Sequence, residues 1–480
     1  MKYYSRIILL LPLLLSSALT QVKAEDKERT KIVCLGASIT QGVFLKNPTS
    51  DSYPAQLQHM LGDAYEVTNF GVSATTLLSK GDNPFVKTSQ YQQALQSNPD
   101  VVIIDLGGND SKLVNRIHLN DFEHDYAALI KSFRELSSHP RIILMTPVTS
   151  FVTDTAGIWD IVIHSRIIPR LRNVAYNEHV EVIDFYSLFL GRPDLYLDGI
   201  HPNVEGATTM AKGLNELLTQ ERDTRFNIFQ KIKVQGETSS YMGYECMSFK
   251  MFNHDCKVVK PKWTNRQRSW IWRARFWGHE PQLEVALLER GYHVVYCDVA
   301  ELFGNDEAIE TWNKFYDLLT RAGLNKKAAM EGMSRGAVYV YNWAAKNPKK
   351  VVSVYVDNPL LDLMWWPARQ YKEGMSERKE WEQFKKDYGF NTDEQALQFK
   401  SSPINNVEAI AKGGYPMLHV CGDADEDVPM SNNTIPFVEK INSYGGKIDV
   451  IIKPGFKHHP HSLPNPAPIV EFVLNSYINN

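Results

Sequence analysis

Two serines in this chain stand where a serine can act as a nucleophile. Ser38 follows the apolar run 31–35, and Ser334 follows the apolar run 328–331; both runs are typical of buried strands. A helix-like pattern begins after each serine, so each hydroxyl would lie at a strand end beside unpaired backbone N–H groups. Such a serine is activated by a histidine that takes its proton and an acid that orients the histidine. The chain must therefore supply two histidines and two acids.

Candidate partners of Ser38 follow later strand-like runs in the first half of the chain. One run ends in Gly71, and the next is followed by Asn109. Asp198 precedes His201 by three residues on a tight turn. This spacing lets a carboxylate hold one nitrogen of the imidazole while the other faces a serine.

These four blocks, in this order, resemble the SGNH (GDSL-like) hydrolases over about residues 30–220. The resemblance implies that Ser38 is the nucleophile, His201 the general base and Asp198 its orienting acid. It also implies an oxyanion hole made by the Ser38 and Gly71 amides and the Asn109 side chain.

The sequence departs from that family at one position. The acid that usually follows the first glycine is Ala37 here. Because that acid does not belong to the triad, we expect a change in the loop and no loss of activity.

Ser334 lies in the sequence Gly-Met-Ser-Arg-Gly, in which the glycines permit the cramped turn of a nucleophile elbow. An acidic block and a histidine-rich block follow, and the order Ser, Asp, His resembles the α/β-hydrolases over about residues 241–480. The resemblance places the acid at Asp425 and the base at His458, with His459 as the alternative. It makes the Arg335 amide an oxyanion donor.

The acidic block and the histidine-rich block each allow another interpretation. The acidic block 423–427 could be a solvated loop or a calcium site, and the histidines at 458–461 could bind a metal. The triad explains the elbow, the acid and the histidine together. We therefore predict two serine hydrolase sites and no metal or cofactor.

The elements that position these residues form two series of alternating strands and helices. Such alternation predicts parallel sheets covered by helices. We expect an α/β protein of two domains, a three-layer α/β/α SGNH-type domain at 25–222 and an α/β-hydrolase domain at 241–480. The polar segment 223–240 is the predicted linker, and we expect each half to fold alone.

Residues 1–24 are predicted to be a signal peptide. A basic start precedes the apolar run 7–15, and Val22-Lys23-Ala24 offers small residues for cleavage. The expected location is periplasmic or secreted, without a stable membrane anchor. In an oxidising compartment Cys246 and Cys256, on consecutive strand-like segments, could be cross-linked.

The composition and net charge limit the classes of molecule that this protein can bind. The 480 residues carry a net charge of −3, which becomes −6 without residues 1–24. Nucleic-acid binding needs a basic surface, so this class is excluded. Two esterase-like domains on one exported chain suggest an esterified poly- or oligosaccharide that carries O-acetyl groups and a second kind of ester.

The second domain offers side chains for an acidic sugar. Trp272 and Trp365 are predicted stacking faces. Arg273 and Arg275, together with Arg335, are predicted to bind a carboxylate or an oxyanion. The alternatives are a lipase or general carboxylesterase, with 360–367 as its apolar lid, and a chain in which one domain is a non-catalytic carbohydrate-binding platform.

Overall fold

The computed structural model describes residues 29–478, so the predicted signal peptide lies outside the described residues. The described chain contains a five-stranded sheet, a nine-stranded sheet and a small two-stranded pair. Both large sheets are flanked by helices, which confirms the predicted α/β class with two domains. No helix between residues 29 and 478 is long and apolar enough to cross a membrane.

The first sheet is parallel throughout, in the order β2-β1-β3-β4-β5. Its strands are β1 (Thr30–Gly36), β2 (Tyr65–Gly71), β3 (Val101–Asp105), β4 (Arg141–Met145) and β5 (Glu181–Ile183). The helices are α1 (Ser38–Gln41), α2 (Pro48–Asp51), α3 (Tyr53–Leu61), α4 (Ser89–Gln96), α5 (Phe122–Arg134), α6 (Asp160–Val162), α7 (Ile168–Asn177), α8 (Phe185–Phe189) and α9 (Val204–Thr219). Residues 32–35 of β1 are buried on both faces because an apolar cluster packs on each side of the sheet.

The second sheet runs in the order β16-β15-β14-β13-β11-β12-β9-β8-β7. The strands from the middle of the chain onward are β6 (Arg222–Asp223), β7 (Glu237–Tyr241), β8 (Tyr244–Met251), β9 (His254–Lys260), β10 (Thr264–Asn265), β11 (Trp270–Ala274), β12 (His293–Cys297), β13 (Ala328–Met333), β14 (Val351–Asp357), β15 (Met417–Gly422) and β16 (Ile448–Lys453). The helices are α10 (Ile228–Lys231), α11 (Gln282–Glu289), α12 (Asp306–Arg321), α13 (Gly336–Lys346), α14 (Ala368–Lys372), α15 (Lys379–Tyr388), α16 (Asp393–Leu397), α17 (Val407–Lys412), α18 (Thr434–Ser443) and α19 (Ala467–Ile478). Strands β7 to β9 form an antiparallel extension, and β11 to β16 are parallel.

The predicted linker at 223–240 is folded. It contributes to the β6–β10 pair, to α10, whose Ile228 is buried in the core of the second domain, and to the edge strand β7. Four of the five residues of β7 are exposed, so the segment lacks the apolar pattern of a strand. Its polar composition was therefore a property of a sheet edge rather than of a linker.

The two domains share a packed boundary. Trp263, from the second half of the chain, is buried in the apolar cluster of the first domain, and its indole N–H donates to Glu181 Oε2 at 3.0 Å. Arg290 pairs with Glu216 at 2.8 Å. The Asp184 amide donates to Glu289 Oε1 at 2.9 Å, and burial raises the pKa of Glu289 to about 8. This boundary argues against the expectation that each half is complete without the other.

The cysteine pair considered from the sequence is not formed. Cys246 lies opposite Val259 in the β8–β9 ladder, whereas Cys256 lies opposite Phe249. All five cysteines of the chain are free and buried. The direct neighbour of Cys256 is Cys297 on β12.

Candidate active sites

The three residues predicted to form the first triad lie together. Ser38 Oγ is 2.9 Å from His201 Nε2, and His201 Nδ1 is 2.7 Å from Asp198 Oδ2. Burial acts to raise the pKa of Asp198, but hydrogen bonds from the amide and ring of His201 outweigh it, so the pKa lies below its ordinary value. An ionised Asp198 accepts from Nδ1–H and leaves the Nε2 lone pair facing the serine.

Close backbone packing fixes the position of Ser38. The serine begins α1 directly after β1, at the carboxyl edge of the sheet. A Cβ on Gly71 would lie 2.3 Å from the Gln41 nitrogen, and one on Gly36 would lie 2.0 Å from Thr40 Oγ1. Both positions therefore require glycine for the β1 and β2 ends to approach α1.

The predicted oxyanion donors of the first site differ in availability. Asn109 is buried and donates one Nδ2 hydrogen to the Thr75 carbonyl at 3.0 Å, which leaves its second hydrogen available. The Gly71 amide donates to Asn69 Oδ1 at 2.9 Å. Asn109 therefore lines the cavity beside Ser38 with a donor to spare, whereas the Gly71 donor is engaged inside the protein.

Two buried acids support this site and were not singled out from the sequence. Asp110 accepts from the Leu77 and Leu78 amides at 3.0 and 2.8 Å and so fixes the segment that holds Asn109. Asp105 accepts from Thr40 Oγ1 at 3.0 Å, behind the nucleophile. Burial raises the pKa of each to about 6. In the sequence, the only signal for these two acids is that each lies at or just after the end of a strand.

The cavity beside Ser38 is small and largely apolar. Its volume is about 40 Å³, and its lining includes Val148, Ile158 and Ile163. Ile163 begins a π-helical turn, Ile163–Ile167, a feature often found at functional sites. Phe44 packs edge-on against His201 at 4.9 Å and is mostly exposed at the mouth. A group the size of acetyl fits this space.

The second predicted triad is also assembled, with His458 as its histidine. Ser334 Oγ is 3.0 Å from His458 Nε2, and His458 Nδ1 is 2.7 Å from Asp425 Oδ2. Burial acts to raise the pKa of Asp425, but the hydrogen bond from His458 and two backbone amides bring it below its ordinary value. His459 is exposed and is not bonded to Ser334.

Ser334 occupies a strained elbow. Its φ is +47°, in the left-handed region that side chains other than glycine seldom adopt. A Cβ on Gly336 would lie 2.5 Å from the Ala274 carbonyl, and one on Gly332 would lie 2.8 Å from the Gly336 backbone. The spacing of the two glycines is therefore a steric requirement of the turn.

Arg273 was predicted to bind substrate, and the structure corrects this. Its side chain is fully buried and pairs with Glu284 at 2.7 Å and Glu331 at 3.0 Å. It also donates to the carbonyls of Arg275, Phe276 and His279. Arg273 therefore holds the loop that borders Ser334 and does not contact solvent.

Trp272 is corrected in the same way. It is fully buried and packs against Trp312, with ring centroids 4.4 Å apart, and Trp343 at 5.3 Å. Strand β11 is covered on both faces, so its aromatic side chain serves the core.

The remaining predicted binding residues lie nearer the surface. Arg275 is mostly buried and bonded to Ala300 and Glu301. Trp365 is half-buried, and its indole N–H donates to the Asp427 carbonyl at 3.3 Å. Its neighbour Trp366 lines a cavity beside Ser334.

Arg335 stands between two cavities of about 510 and 440 Å³, both of which reach Ser334 and His458. Its guanidinium lies 4.7 Å from the ring centre of Trp366. It forms no ion pair with any carboxylate of the described chain. Burial and the nearby Arg275 lower its pKa from the ordinary value, yet an arginine stays charged at neutral pH.

A second acid–histidine pair lies beside this triad. His461 Nδ1 is 2.8 Å from Asp357 Oδ1, and both residues are buried. Lys453 pairs with the same carboxylate at 3.2 Å. Burial lowers the pKa of His461 from its ordinary value despite Asp357, so the ring is neutral at pH 7. No step of serine hydrolysis needs this pair.

Comparison with known proteins agrees with the first site. Residues 34–208 match the GDSL-like Lipase/Acylhydrolase family. An acetylxylan esterase of Xylanibacter ruminicola is 38% identical over 216 residues, which cover 41% of this chain and 45% of that protein. The chain thus spans about half the length of this curated relative.

Solved structures with weaker likeness were also found. A carbohydrate acetylesterase family member from Sinorhizobium meliloti is 18% identical and covers 39% of this chain and 97% of that chain, with a TM-score of 0.33. The acylaminoacyl peptidase of Pyrococcus horikoshii is 16% identical over 52% of this chain and 42% of that chain, with a TM-score of 0.37.

The family match and the curated relative, taken with the site, identify the first domain. Residues 34–208 match the model of a GDSL-like lipase/acylhydrolase domain, in agreement with the motifs around Ser38. The predicted class of serine esterase is confirmed for this domain.

Proposed function

We propose that this protein is an exported carbohydrate esterase whose first site removes O-acetyl groups from a polysaccharide. The observation that carries the proposal is the bonded Ser38–His201–Asp198 set beside a cavity of about 40 Å³. The curated relative, an acetylxylan esterase, supports the same substrate class. Export to the periplasm or medium rests on the sequence of residues 1–24 alone.

The geometry supports acyl transfer in two steps. His201 Nε2 takes the proton of Ser38 as its oxygen attacks the acetyl carbonyl, and the free Nδ2 hydrogen of Asn109 donates to the oxyanion. The acetyl methyl enters the apolar cavity. His201 then returns the proton to the sugar oxygen, and water releases acetate by the reverse sequence. The exposed ring of Phe44 offers a face on which a sugar can stack.

The test is acetate release from acetylated xylan by the full chain. Ser38→Ala should lower the rate by roughly 10³-fold or more, because nucleophile and base act as a unit. Ser334→Ala is the matched control and should leave this rate unchanged. Full acetate release by Ser38→Ala, with loss in Ser334→Ala, would assign deacetylation to the other domain.

For the second site we propose an ester whose acyl part is a sugar carboxylate, such as a uronic acid methyl ester. A specific observation favours it: within residues 29–478 Arg335 forms no ion pair, and it stacks on Trp366 and lines both cavities beside Ser334. A guanidinium there would stabilise charge on an acidic sugar. The lipase alternative is less well supported, because Leu360, Leu361 and Leu363 of the proposed lid are buried in the core.

Methanol release from methyl-esterified glucuronic acid oligosaccharides tests this second activity. Ser38→Ala should retain it and Ser334→Ala should lose it. Arg335→Lys should lower kcat/KM by about tenfold or more, because lysine cannot stack or bind in a bidentate fashion. Labelling by a fluorophosphonate probe separates the remaining alternative, since a non-catalytic binding platform would leave Ser334 unlabelled.

A further inference from the structure

The second triad lies against a cluster of histidines that hydrolysis does not use. One ring nitrogen from each of His458, His459 and His461 lies within 4.8 Å of the other two. The ring of His279 faces His459 and His461 at centroid distances of 5.8 and 5.9 Å. Four imidazoles therefore share one wall of the cavity at Ser334.

Two of these histidines have the carboxylate support that metal-binding histidines need. Asp425 holds Nδ1 of His458 at 2.7 Å, and Asp357 holds Nδ1 of His461 at 2.8 Å. A carboxylate on one nitrogen fixes the tautomer and leaves the lone pair of the other nitrogen free for a metal. Asp357–His461 has no role in the triad, so this support is in place without a catalytic reason.

We propose that His458, His459 and His461 bind a transition metal ion, Zn²⁺ by the chemistry of the ligands, and that a filled site blocks Ser334 while Ser38 keeps working. Imidazole nitrogen is a preferred ligand of Zn²⁺, with a bond of about 2.0–2.1 Å. His279 is placed to supply a fourth ligand.

Inhibition of Ser334 follows because His458 has a single free lone pair. Its Nδ1 carries the proton donated to Asp425, so Nε2 has the only free lone pair of the ring. In hydrolysis that lone pair accepts the proton of Ser334. In the filled site the same lone pair would bind the metal ion. A neutral imidazole releases no proton when it binds the ion, and the two uses exclude each other. The ligand nitrogens of a tetrahedral Zn²⁺ site lie roughly 3.3 Å from one another. The three rings must therefore move closer together, and His458 must move away from its hydrogen bond with Ser334.

The first triad provides an internal control within the same chain. The candidate metal-binding groups of the described residues are His458–His459–His461 and Asp425–Asp427–His458, and neither includes His201. His201 has Phe44 as its aromatic neighbour instead. A metal effect through general chelation of active-site histidines would act on both triads.

The experiment measures metal inhibition and binding on the full chain. Rates of fluorophosphonate labelling at Ser334 and Ser38 are followed against free Zn²⁺, so the readout needs no knowledge of the natural ester. Ser334 labelling should fall and return with EDTA, while Ser38 labelling stays constant. His459→Ala should raise the Zn²⁺ concentration for half inhibition by about tenfold or more, with each labelling rate taken relative to the metal-free rate of the same variant. His124→Ala, at another exposed histidine outside both sites, is the matched control.

Two further measurements separate the possible outcomes. Absorption spectra of Co²⁺ bound to Ser334→Ala protein should indicate one tetrahedral site with histidine ligands, lost in His459→Ala. Asp427→Asn should not change the half-inhibiting concentration. Equal inhibition of wild type and His459→Ala, equal inhibition of the two serines, or dependence on Asp427 in place of His459 would each overturn the proposal. Failure of Ser334 to label without metal would instead refute the proposed second activity and leave the Co²⁺ result to decide on the site.

Discussion

The two triads of this chain have nearly the same internal distances and very different surroundings. Histidine lies 2.9 Å from the serine in the first and 3.0 Å in the second, and both acid–histidine distances are 2.7 Å. Yet the Asp198 side chain is 39% exposed and that of Asp425 is fully buried. The cavity at Ser38 is about 40 Å³, against about 510 and 440 Å³ at Ser334. The triad determines the class of reaction, and the side chains that line the cavity determine which substrates can enter.

The largest expected contrast concerns the oxyanion holes. The proposed donor in the first site is a side chain, that of Asn109, whereas the predicted donor next to Ser334 is the backbone amide of Arg335. Asn109→Ala should therefore lower kcat at Ser38 by roughly 10²–10³-fold, the usual effect of removing one oxyanion donor. Activity at Ser334 is the control and should not change.

Asn109 also bonds the Thr75 carbonyl, so a folding defect must be separated from the loss of a donor. The melting temperature and KM of Asn109→Ala should stay close to the wild type. A loss of kcat below about tenfold in a folded variant would mean that Asn109 does not stabilise the oxyanion.

Arg273 gives the next contrast, because only the second site depends on a buried arginine. Arg273→Lys keeps a charge for Glu284 and Glu331 but cannot reach the three loop carbonyls that the guanidinium bonds. We expect about a 10–10²-fold fall in kcat at Ser334, since small misplacements of active-site groups have effects of this size. KM should change less.

Arg290→Lys serves as the comparison for this variant, because it alters another arginine pair, at the domain boundary. It should reduce stability without lowering kcat at either site. A fall in melting temperature with unchanged kcat in Arg273→Lys would show that the loop keeps its shape without the arginine.

A smaller effect should follow from enlarging the acyl cavity of the first site. Ile163→Ala removes part of its apolar wall. The ratio of kcat/KM for 4-nitrophenyl butyrate over acetate should rise by about tenfold, in the range that one or two methylenes produce. The measurement uses a Ser334→Ala background. Ile168→Ala, also buried but outside the cavity lining, should leave the ratio unchanged.

The last contrast concerns stability and leaves activity unchanged, and it depends on pH at the boundary between the domains. Burial raises the pKa of Glu289 from 4.5 to about 8, so folding favours its neutral form. This contribution to stability is complete below about pH 4.5 and is lost as the pH rises toward 8. At about 1.4 kcal/mol per pKa unit the change is on the order of a few kcal/mol.

Melting temperatures between pH 5 and 8 test this contribution. Glu289→Gln keeps an acceptor for the Asp184 amide. The melting temperature of this variant should fall less steeply with pH than that of the wild type. Glu216→Gln, which removes a carboxylate from the same boundary, should not show this smaller fall. Identical pH slopes in the wild type and Glu289→Gln would show that Glu289 does not titrate in this range.

The sequence was informative about strands and triads for a physical reason. Parallel strands buried on both faces appear as continuous apolar runs, so β1 and β13 were found within a few residues of their ends. Catalytic side chains follow such strands at their carboxyl ends, which located Ser38 and Ser334. The edge strand β7 has no buried face to create a pattern and was predicted to be linker.

Arg273 and Asp357 show what local sequence could not indicate. An arginine is usually exposed, and the glutamates that pair with Arg273 come from two other elements, Glu284 from α11 and Glu331 from β13. Asp357 meets His461 only because β14 lies beside β15 and β16 at one edge of the sheet. Both features depend on tertiary neighbours that no spacing in the sequence reports.

The place of Trp263 imposes an order on the synthesis of this protein. Its ring fills part of the first domain's core, and its N–H satisfies Glu181, a carboxylate whose pKa burial raises. Domains fold in order from the N-terminus as a chain emerges, so the first domain must wait beyond its own last helix until this piece has followed. Until then the apolar cluster and Glu181 lack the contacts that the Trp263 side chain makes. The first domain is thus finished only when the second has begun to emerge.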